Sequence, residues 1–414
     1  MLATVQVVMP WVRCSRPGLL AVVGMSIVGI GAVHPQAQRS SPGAGPDADR
    51  IARIEHDLRA VAAGGSDAPN PQTIAERMEA LRVPGLSVAV FDGGRVLWAR
   101  GYGVRDRGLA APVTDTTLFQ AASISKPVTS VAMFRLVEQG RLQLDQDVNE
   151  RLRSWKVPEN AFTTIEKVTL RRIVSHMAGL TVHGFAGYGP GERLPTLPQI
   201  LDGVAPANSP AVRVEAKPGE RESYSGGGFT ILQLLMEDVT RRPFADLLDD
   251  LVLKPVKMTR SAFAQPPPRA IADVAATGYD RDGQAIAGRF HVYPERAAAG
   301  LWTTPSDLAA FMLAVGRSYR GEPGGILKQD TARLMLTQVP GGGGLGFGLS
   351  GEGAARRYRH SGGNAGFSCY AVAFVDAGRG VVLMTNSDNG TQLMQELARA
   401  IAREYGWAYM WVRE

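Results

Sequence analysis

The stretch Ala122-Ser123-Ile124-Ser125-Lys126-Pro127 opens a segment, residues 128–137, whose apolar residues lie on most sides, as in a buried helix. Three residues span about one helical turn, so Ser123 and Lys126 project from the same face. A serine hydroxyl is a weak nucleophile without a base, and a lysine amine in a low-dielectric pocket can become that base. Ser125 competes for the role, but it is adjacent to Lys126 and adjacent helical side chains point apart. We predict Ser123 as the nucleophile; the alternative is a helix cap followed by a surface lysine.

Two elements further along the chain carry residue types that suit the same chemistry. In residues 217–229 a Pro-Gly turn, a tyrosine and a glycine run precede a helix, which predicts Tyr224 on a loop at a helix N-terminus. A phenol near a lysine ammonium can have its pKa lowered from about 10 and take part in proton transfer. In residues 358–367 the glycines allow a substrate to lie along a strand edge, with backbone N–H groups available to an oxyanion. His360 would bind a substrate group or tune Tyr224; the alternatives are a packed aromatic ring and a structural histidine.

Length and composition exclude several classes of protein. The 414 residues can bury a sizeable core, and 45% apolar with 20% charged residues is typical of a globular protein. The net charge of +6 is spread along the chain, which argues against a nucleic-acid partner. The histidines lack metal-ligand spacing, so we predict no metal and no cofactor. Residues 341–346 match G-x-G-x-x-G, but no strand precedes them and no helix follows, which favours a flexible loop.

The first 37 residues have the pattern of a signal peptide. Arg13 and Arg16 precede an uncharged apolar stretch, residues 18–33, and the small residue Ala37 stands at a suitable cleavage position. This stretch is short for a bilayer-spanning helix, so we expect cleavage, export to a bacterial periplasm or medium, and no stable membrane insertion. Cleavage would leave Cys369 as the only cysteine, so packing alone would hold the fold.

The remaining chain is predicted to be a linker followed by one domain. Residues 38–70 are assigned to a disordered linker, because residues 40–49 are rich in Ser, Pro, Gly and Asp; within this segment the pattern allows a short helix over residues 51–63. Within the domain, residues 71–414, a mostly helical insertion covers about residues 141–270. The clearest predicted strands lie near both ends of the domain, at residues 86–91, 95–101, 366–375 and 380–386. The fold class is therefore α+β, an antiparallel sheet flanked by helices with an inserted helical lobe, and a cleft between lobes is the expected place for the site.

The three elements, in their order and spacing, resemble the serine hydrolases of the class C β-lactamase and penicillin-binding-protein superfamily. The resemblance covers about residues 71–405 and includes further phrases at residues 168–180, 253–259 and 298–308. It implies a β-lactamase/transpeptidase-like fold and a small-molecule ester, peptide or β-lactam substrate.

The resemblance also implies a role for each matching residue. Ser123 would be the acylated nucleophile, Lys126 would share its proton, and Tyr224 would relay a proton to the leaving group. The backbone N–H groups of Ser123 and Gly363 would form the oxyanion hole. His360-Ser361-Gly362 occupies the place of the family's Lys-Thr-Gly.

Two departures from the family pattern bear on the substrate. Gly226 stands where the tyrosine element usually ends in asparagine, and His360 replaces a permanently charged lysine with a titratable group. Both changes weaken recognition of an amide-bearing, carboxylated substrate. We therefore expect an exported serine hydrolase that acts on esters or D-amino-acid peptides and amides through a Ser123 acyl-enzyme. The alternatives are a β-lactamase and a penicillin-recognising binding protein of the cell envelope with a weak or inactive site.

Overall fold

The computed structural model describes residues 46–60, 68–408 and 410, so the predicted signal peptide lies outside the described residues. All of the described residues belong to one structural unit. The strands of this part of the chain are β1 (Gly85–Asp92), β2 (Arg95–Asp106), β3 (Ala111–Pro112), β4 (Phe119–Gln120), β5 (Trp302–Thr303), β6 (Gly348–Ser350), β7 (Arg357–Asn364), β8 (Phe367–Phe374) and β9 (Gly380–Thr385). Its α-helices are α1 (Pro46–Glu55), α2 (Ile74–Ala80), α3 (Ser125–Glu138), α4 (Leu170–Val174), α5 (Leu197–Asp202), α6 (Gly226–Thr240), α7 (Phe244–Leu248), α8 (Lys254–Val256), α9 (Arg269–Ala272), α10 (Arg296–Ala299), α11 (Pro305–Arg320), α12 (Gln329–Met335) and α13 (Gly390–Tyr405).

The central sheet has seven antiparallel strands in the order β3-β2-β1-β9-β8-β7-β6. Strands β1 and β2 form the predicted hairpin, and Gly93 and Gly94 take φ values of 57° and 76° in its turn, where glycine costs least. The pairing of β1 with β9 sets Leu86 opposite Thr385 and joins the two ends of the domain in one sheet. The predicted α+β class is confirmed.

Both faces of the sheet are covered. All eight residues of β8 are buried, as expected for a strand with helices on either side. Helices α1, α2 and α13 lie on one face, where Leu86 and Val88 meet Leu397 in one apolar cluster. The other face packs against α3 and α11, with Ala89 and Phe311 in a second cluster. The nucleophile segment is therefore held in the larger core, on the second face.

Residues 46–55 differ from the prediction of a disordered linker, because they form α1. Ile51 and Ile54 are 4% and 1% exposed and belong to the cluster that α13 covers. Their spacing of three residues sets both on one helix face. Arg53 adds an ion pair with Glu404 of α13, at 2.6 Å. The polar residues around this apolar pair had dominated the composition-based prediction.

The helical part of the fold surrounds α3. Residues 141–270, all of them described, form α4 to α8, the start of α9 and the segments between them. Helix α3 is buried along most of its length, and Pro127 lies in its first turn, where a missing N–H is tolerated. Within the described ranges, no helix combines the length and the apolar character needed to cross a bilayer.

Candidate active site

Ser123 lies on a 3₁₀ turn, Ala122–Ile124, that leads into α3. Side chains three residues apart eclipse in 3₁₀ geometry, and Lys126 Nζ lies 2.9 Å from Ser123 Oγ. The lysine is 2% exposed, and its Nζ also donates a hydrogen bond to the carbonyl oxygen of Ala298 at 2.9 Å. This geometry suits a serine nucleophile with a lysine beside it as the base.

Ser125, the competing nucleophile, is engaged elsewhere. Its side chain is fully buried, and its Oγ accepts a hydrogen bond from the backbone N–H of Leu301 at 3.0 Å. Ser123, in contrast, is partly exposed. A substrate can therefore approach Ser123 without displacing the chain that encloses Ser125.

Strand β7 lies directly against the nucleophile turn. A Cβ atom on Gly362 would come within 2.5 Å of the carbonyl oxygen of Ala121 and 3.0 Å of the backbone nitrogen of Ser123, so only glycine fits there. Gly363 is exposed, and a Cβ atom at that position would meet nothing within 4 Å. Behind the turn, the Cys369 thiol donates a hydrogen bond to the same Ala121 carbonyl at 2.9 Å. The backbone of β7 therefore borders the space beside Ser123.

Tyr224 comes from a loop that precedes α6, as the sequence predicted. The loop ends at Ser225, whose Oγ accepts a hydrogen bond from the backbone N–H of Gly228 and caps the helix. The Tyr224 ring centroid lies 5.0 Å from Lys126 Nζ, and the Phe229 ring centroid lies 5.7 Å from the same nitrogen. Both distances are within the range of cation–π attraction. The tyrosine and the lysine, 98 positions apart in sequence (224 − 126), are thus brought together.

His360 completes the set of predicted residues. Its ring centroid lies 6.4 Å from that of Tyr224. His360 Nδ1 is 2.6 Å from the carbonyl oxygen of Ser361, and since a carbonyl only accepts, Nδ1 carries a proton. His360 therefore lies beside Tyr224.

A cavity of about 370 Å³ extends beyond Tyr224 and His360. Its walls come from residues 174–176, from Glu222 and Tyr224, and from Arg359 and His360, with Phe347 and glycines of residues 343–348 closing one side. The glycine-rich segment that matched a dinucleotide motif contributes to this wall. The cavity gives the site room for a substrate group next to the phenol.

Two residues that neighbour the predicted site residues were not predicted from the sequence: Phe229, whose ring lies near the Lys126 amine, and His176. The His176 ring packs on Tyr224 with 4.2 Å between centroids and an angle of 33° between planes. Burial, followed by the positive charge of Lys126 and the imidazoles of His360 and His183, holds the pKa of His176 well below its ordinary value. His176 therefore stays neutral. Its sequence phrase had suggested only a structural role at a helix end.

Glu295 is a second buried titratable group near the lysine. Its side chain is 0% exposed, and in the described part of the chain its carboxylate oxygens have no hydrogen-bond partner apart from a contact with its own backbone N–H. Burial raises the pKa of Glu295 to about 7. The residue directly precedes α10, the helix whose Ala298 carbonyl accepts from Lys126. Among the described residues, no group of three His, Cys, Asp or Glu side chains could hold a metal ion.

Comparisons with known proteins identify the family and the fold. The Beta-lactamase family model matches residues 71–405. Protein flp of Staphylococcus aureus (strain N315) is 26% identical over 227 residues, which are 54% of this chain and 42% of that relative. The chain thus matches less than half the length of that curated relative.

Two similar solved structures come from other organisms. The D-amino acid amidase from Ochrobactrum anthropi SV3 has a TM-score of 0.65 at 20% identity and covers 86% of this chain and 98% of its own. The octameric penicillin-binding protein homologue from Pyrococcus abyssi has a TM-score of 0.63 at 23% identity, with 81% and 76% covered. At these identities the likeness shows a shared fold.

Proposed function

Because the chain belongs to the beta-lactamase family of serine hydrolases, we propose that it hydrolyses esters or D-amino-acid amides and peptides through an acyl-enzyme on Ser123. The observation that carries the proposal is the 2.9 Å contact between the buried Lys126 amine and the Ser123 hydroxyl. That contact sets an amine within hydrogen-bond distance of the serine hydroxyl, the arrangement by which a base activates a weak nucleophile. We also propose that residues 1–37 direct export of the enzyme.

The reaction proceeds in two balanced halves. Ser123 Oγ adds to the substrate carbonyl carbon, and its proton passes to the Lys126–Tyr224 pair, which titrates as a coupled unit. The backbone N–H groups of Ser123 and Gly363 bind the resulting oxyanion. The bond to the leaving group then breaks, and the proton reaches the departing oxygen or nitrogen through Tyr224. Water adds to the acyl-enzyme, gives its proton to the same pair, and releases the acid and free Ser123.

The surroundings of the phenol support the proposed substrate class. The cavity of about 370 Å³ adjoins Tyr224, so it receives the leaving group that this residue protonates. His360 and Gly226 replace the lysine and asparagine with which the family recognises carboxylated amide substrates. The fold shared with a D-amino acid amidase supports the amide branch of the proposal.

Covalent labelling tests the nucleophile. A fluorophosphonate probe should label the full chain, and Ser123→Ala should abolish labelling. Ser125→Ala is the matched control, because it removes an identical side chain two residues away and should leave Ser123 reactive. A well-folded wild-type protein that takes up neither this probe nor a fluorescent penicillin would favour the binding-protein alternative and contradict the proposal.

Turnover of three chromogenic substrates tests the substrate class. We expect a p-nitrophenyl ester and a D-amino-acid p-nitroanilide to be hydrolysed faster than a chromogenic cephalosporin, with all three activities lost in Ser123→Ala. Cephalosporin turnover much faster than the other two would overturn this order and assign the enzyme to the β-lactamases.

A further inference from the structure

The short loop that carries Tyr224 is held on both sides by one residue, His176. The backbone N–H of Ser223 donates to the His176 carbonyl oxygen at 2.7 Å, and the backbone N–H of Ser225 donates to His176 Nδ1 at 3.1 Å. The residues directly before and after the tyrosine are therefore both bound to the residue whose ring packs on it.

We propose that His176 is a positioning residue that sets the Tyr224 phenol against Lys126. This inference rests on the role of Tyr224 proposed above. His176 acts through the loop backbone and the tyrosine ring and exchanges no proton with the substrate.

The backbone of His176 has a conformation that usually favours glycine. The N–H of Met177 bonds to the Arg172 carbonyl at 2.7 Å, and that of His176 bonds to the Ile173 carbonyl at 3.1 Å. These two bonds form a Schellman motif at the end of α4, and His176 occupies its left-handed position with φ of 58°. Glycine is the usual residue there, because a Cβ atom in this conformation comes too close to the backbone. Such an outlier beside a reactive group points to function.

Only one protonation state of His176 can hold the loop. A backbone N–H donates, so Nδ1 must present a lone pair to Ser225, and the ring proton must reside on Nε2. A charged imidazole would lose this acceptor. The charged and titratable neighbours are Lys126 of α3, Arg359 and His360 of β7, and Tyr224, Glu222 and His183 of the loops. Burial and the positive neighbours lower the pKa of His176, which favours the neutral ring that accepts this bond.

Two substitutions that suit the left-handed backbone separate positioning from folding. His176→Asn keeps an oxygen acceptor close to the place of Nδ1, whereas His176→Gly removes both acceptor and ring. We expect His176→Gly to lower kcat about 100-fold with KM changed less than about three-fold, because a misplaced proton donor costs rate rather than binding. His176→Asn should recover most of that loss. Thermal melts of both variants would verify folding. An unchanged kcat in His176→Gly would overturn the proposal.

A double-mutant cycle identifies the residue through which His176 acts. In a Tyr224→Phe background, His176→Gly should lower the residual kcat by less than about three-fold, since the phenol it positions is already absent. The full 100-fold loss in that background would overturn the inference and leave the proposed function intact. Wild-type activity in Tyr224→Phe alone would instead overturn the proposed role of the tyrosine and, with it, the inference.

Discussion

The amine of Lys126 lies between the Ser123 hydroxyl and the Ala298 carbonyl, and this placement makes a chemical demand on the side chain. Lys126→Arg should lower the rate of fluorophosphonate labelling at least about 1,000-fold, because a guanidinium stays charged and cannot take the serine proton. Lys254→Arg, on the exposed surface, is the control and should label at the wild-type rate. An active Lys126→Arg enzyme would contradict the assignment of lysine as base.

At this residue scale, prediction from the sequence succeeded where the contact is local. The Ser123–Lys126 pair depends on a three-residue spacing, which any tight helical turn satisfies. The contact of His176 with Tyr224 depends on where two loops, 48 positions apart (224 − 176), pack against each other. Nothing in either local pattern encodes that distance, so His176 could be found only from the structure.

Among the elements, β7 and the turn that carries the nucleophile touch at Gly362. Gly362→Ala should lower the labelling rate about 10- to 100-fold, because its new Cβ would press on Ala121 and on the Ser123 nitrogen and displace the turn. Gly184→Ala is the control: its new Cβ would meet nothing within 4 Å on an exposed loop, so its labelling rate should stay within about three-fold of wild type. Equal effects of the two substitutions would contradict the close approach of the strand.

A buried carboxyl group, that of Glu295, directly precedes helix α10 and makes stability depend on pH. Its pKa is about 7 in the folded chain and about 4.5 when exposed, so between these values the folded state retains a proton that the unfolded state releases. The free energy of unfolding therefore falls as pH rises through this window. Relative to wild type, Glu295→Gln should gain roughly 3 kcal/mol of stability between pH about 4.5 and about 8.

Urea unfolding at both pH values would measure this gain. Glu79→Gln, on the exposed face of α2, serves as the control and should show the same pH dependence as the wild-type protein. A stability difference between Glu295→Gln and wild type that is constant with pH would show that the carboxyl has the same pKa in the folded and unfolded states, and would contradict the prediction.

The elements themselves were predicted best where a short-range signal marks their ends. The hairpin of β1 and β2 follows from Asp92-Gly93-Gly94, and α3 follows from its apolar residues. The register of β1 against β9 has no local signal, because Leu86 and Thr385 meet only through the completed fold. The bounds of α1 were predicted poorly for a related reason: the short helix expected over residues 51–63 lies at residues 46–55, where α13 supplies the surface that buries Ile51 and Ile54.

For the molecule as a whole, the central sheet lies between the proposed active site and a buried ion pair on its opposite face. Arg77 of α2 and Glu396 of α13 form a bidentate pair, with N–O distances of 2.8 and 2.9 Å, and Glu396 is 0% exposed. Arg77→Ala should lower the free energy of unfolding by about 3–5 kcal/mol, because it leaves a buried carboxylate without its cation. The kcat should be unchanged, since α3 lies across the sheet.

The exposed ion pair of Arg53 and Glu404 provides the comparison for the buried pair of Arg77 and Glu396. The Arg53 side chain is 58% exposed, so Arg53→Ala should change the free energy of unfolding in urea far less than Arg77→Ala does. A similar small cost for Arg77→Ala, or a large fall in its kcat, would contradict the separation of the two faces.

The pairing of β1 with β9 has a consequence for the newborn protein. Leu86 leaves the ribosome 299 residues before Thr385 (385 − 86), a delay of roughly 15–60 s at common rates of synthesis. During that interval an almost wholly apolar strand offers an open edge to any other nascent chain. We therefore expect chaperones to bind the nascent chain until its last strand has been translated.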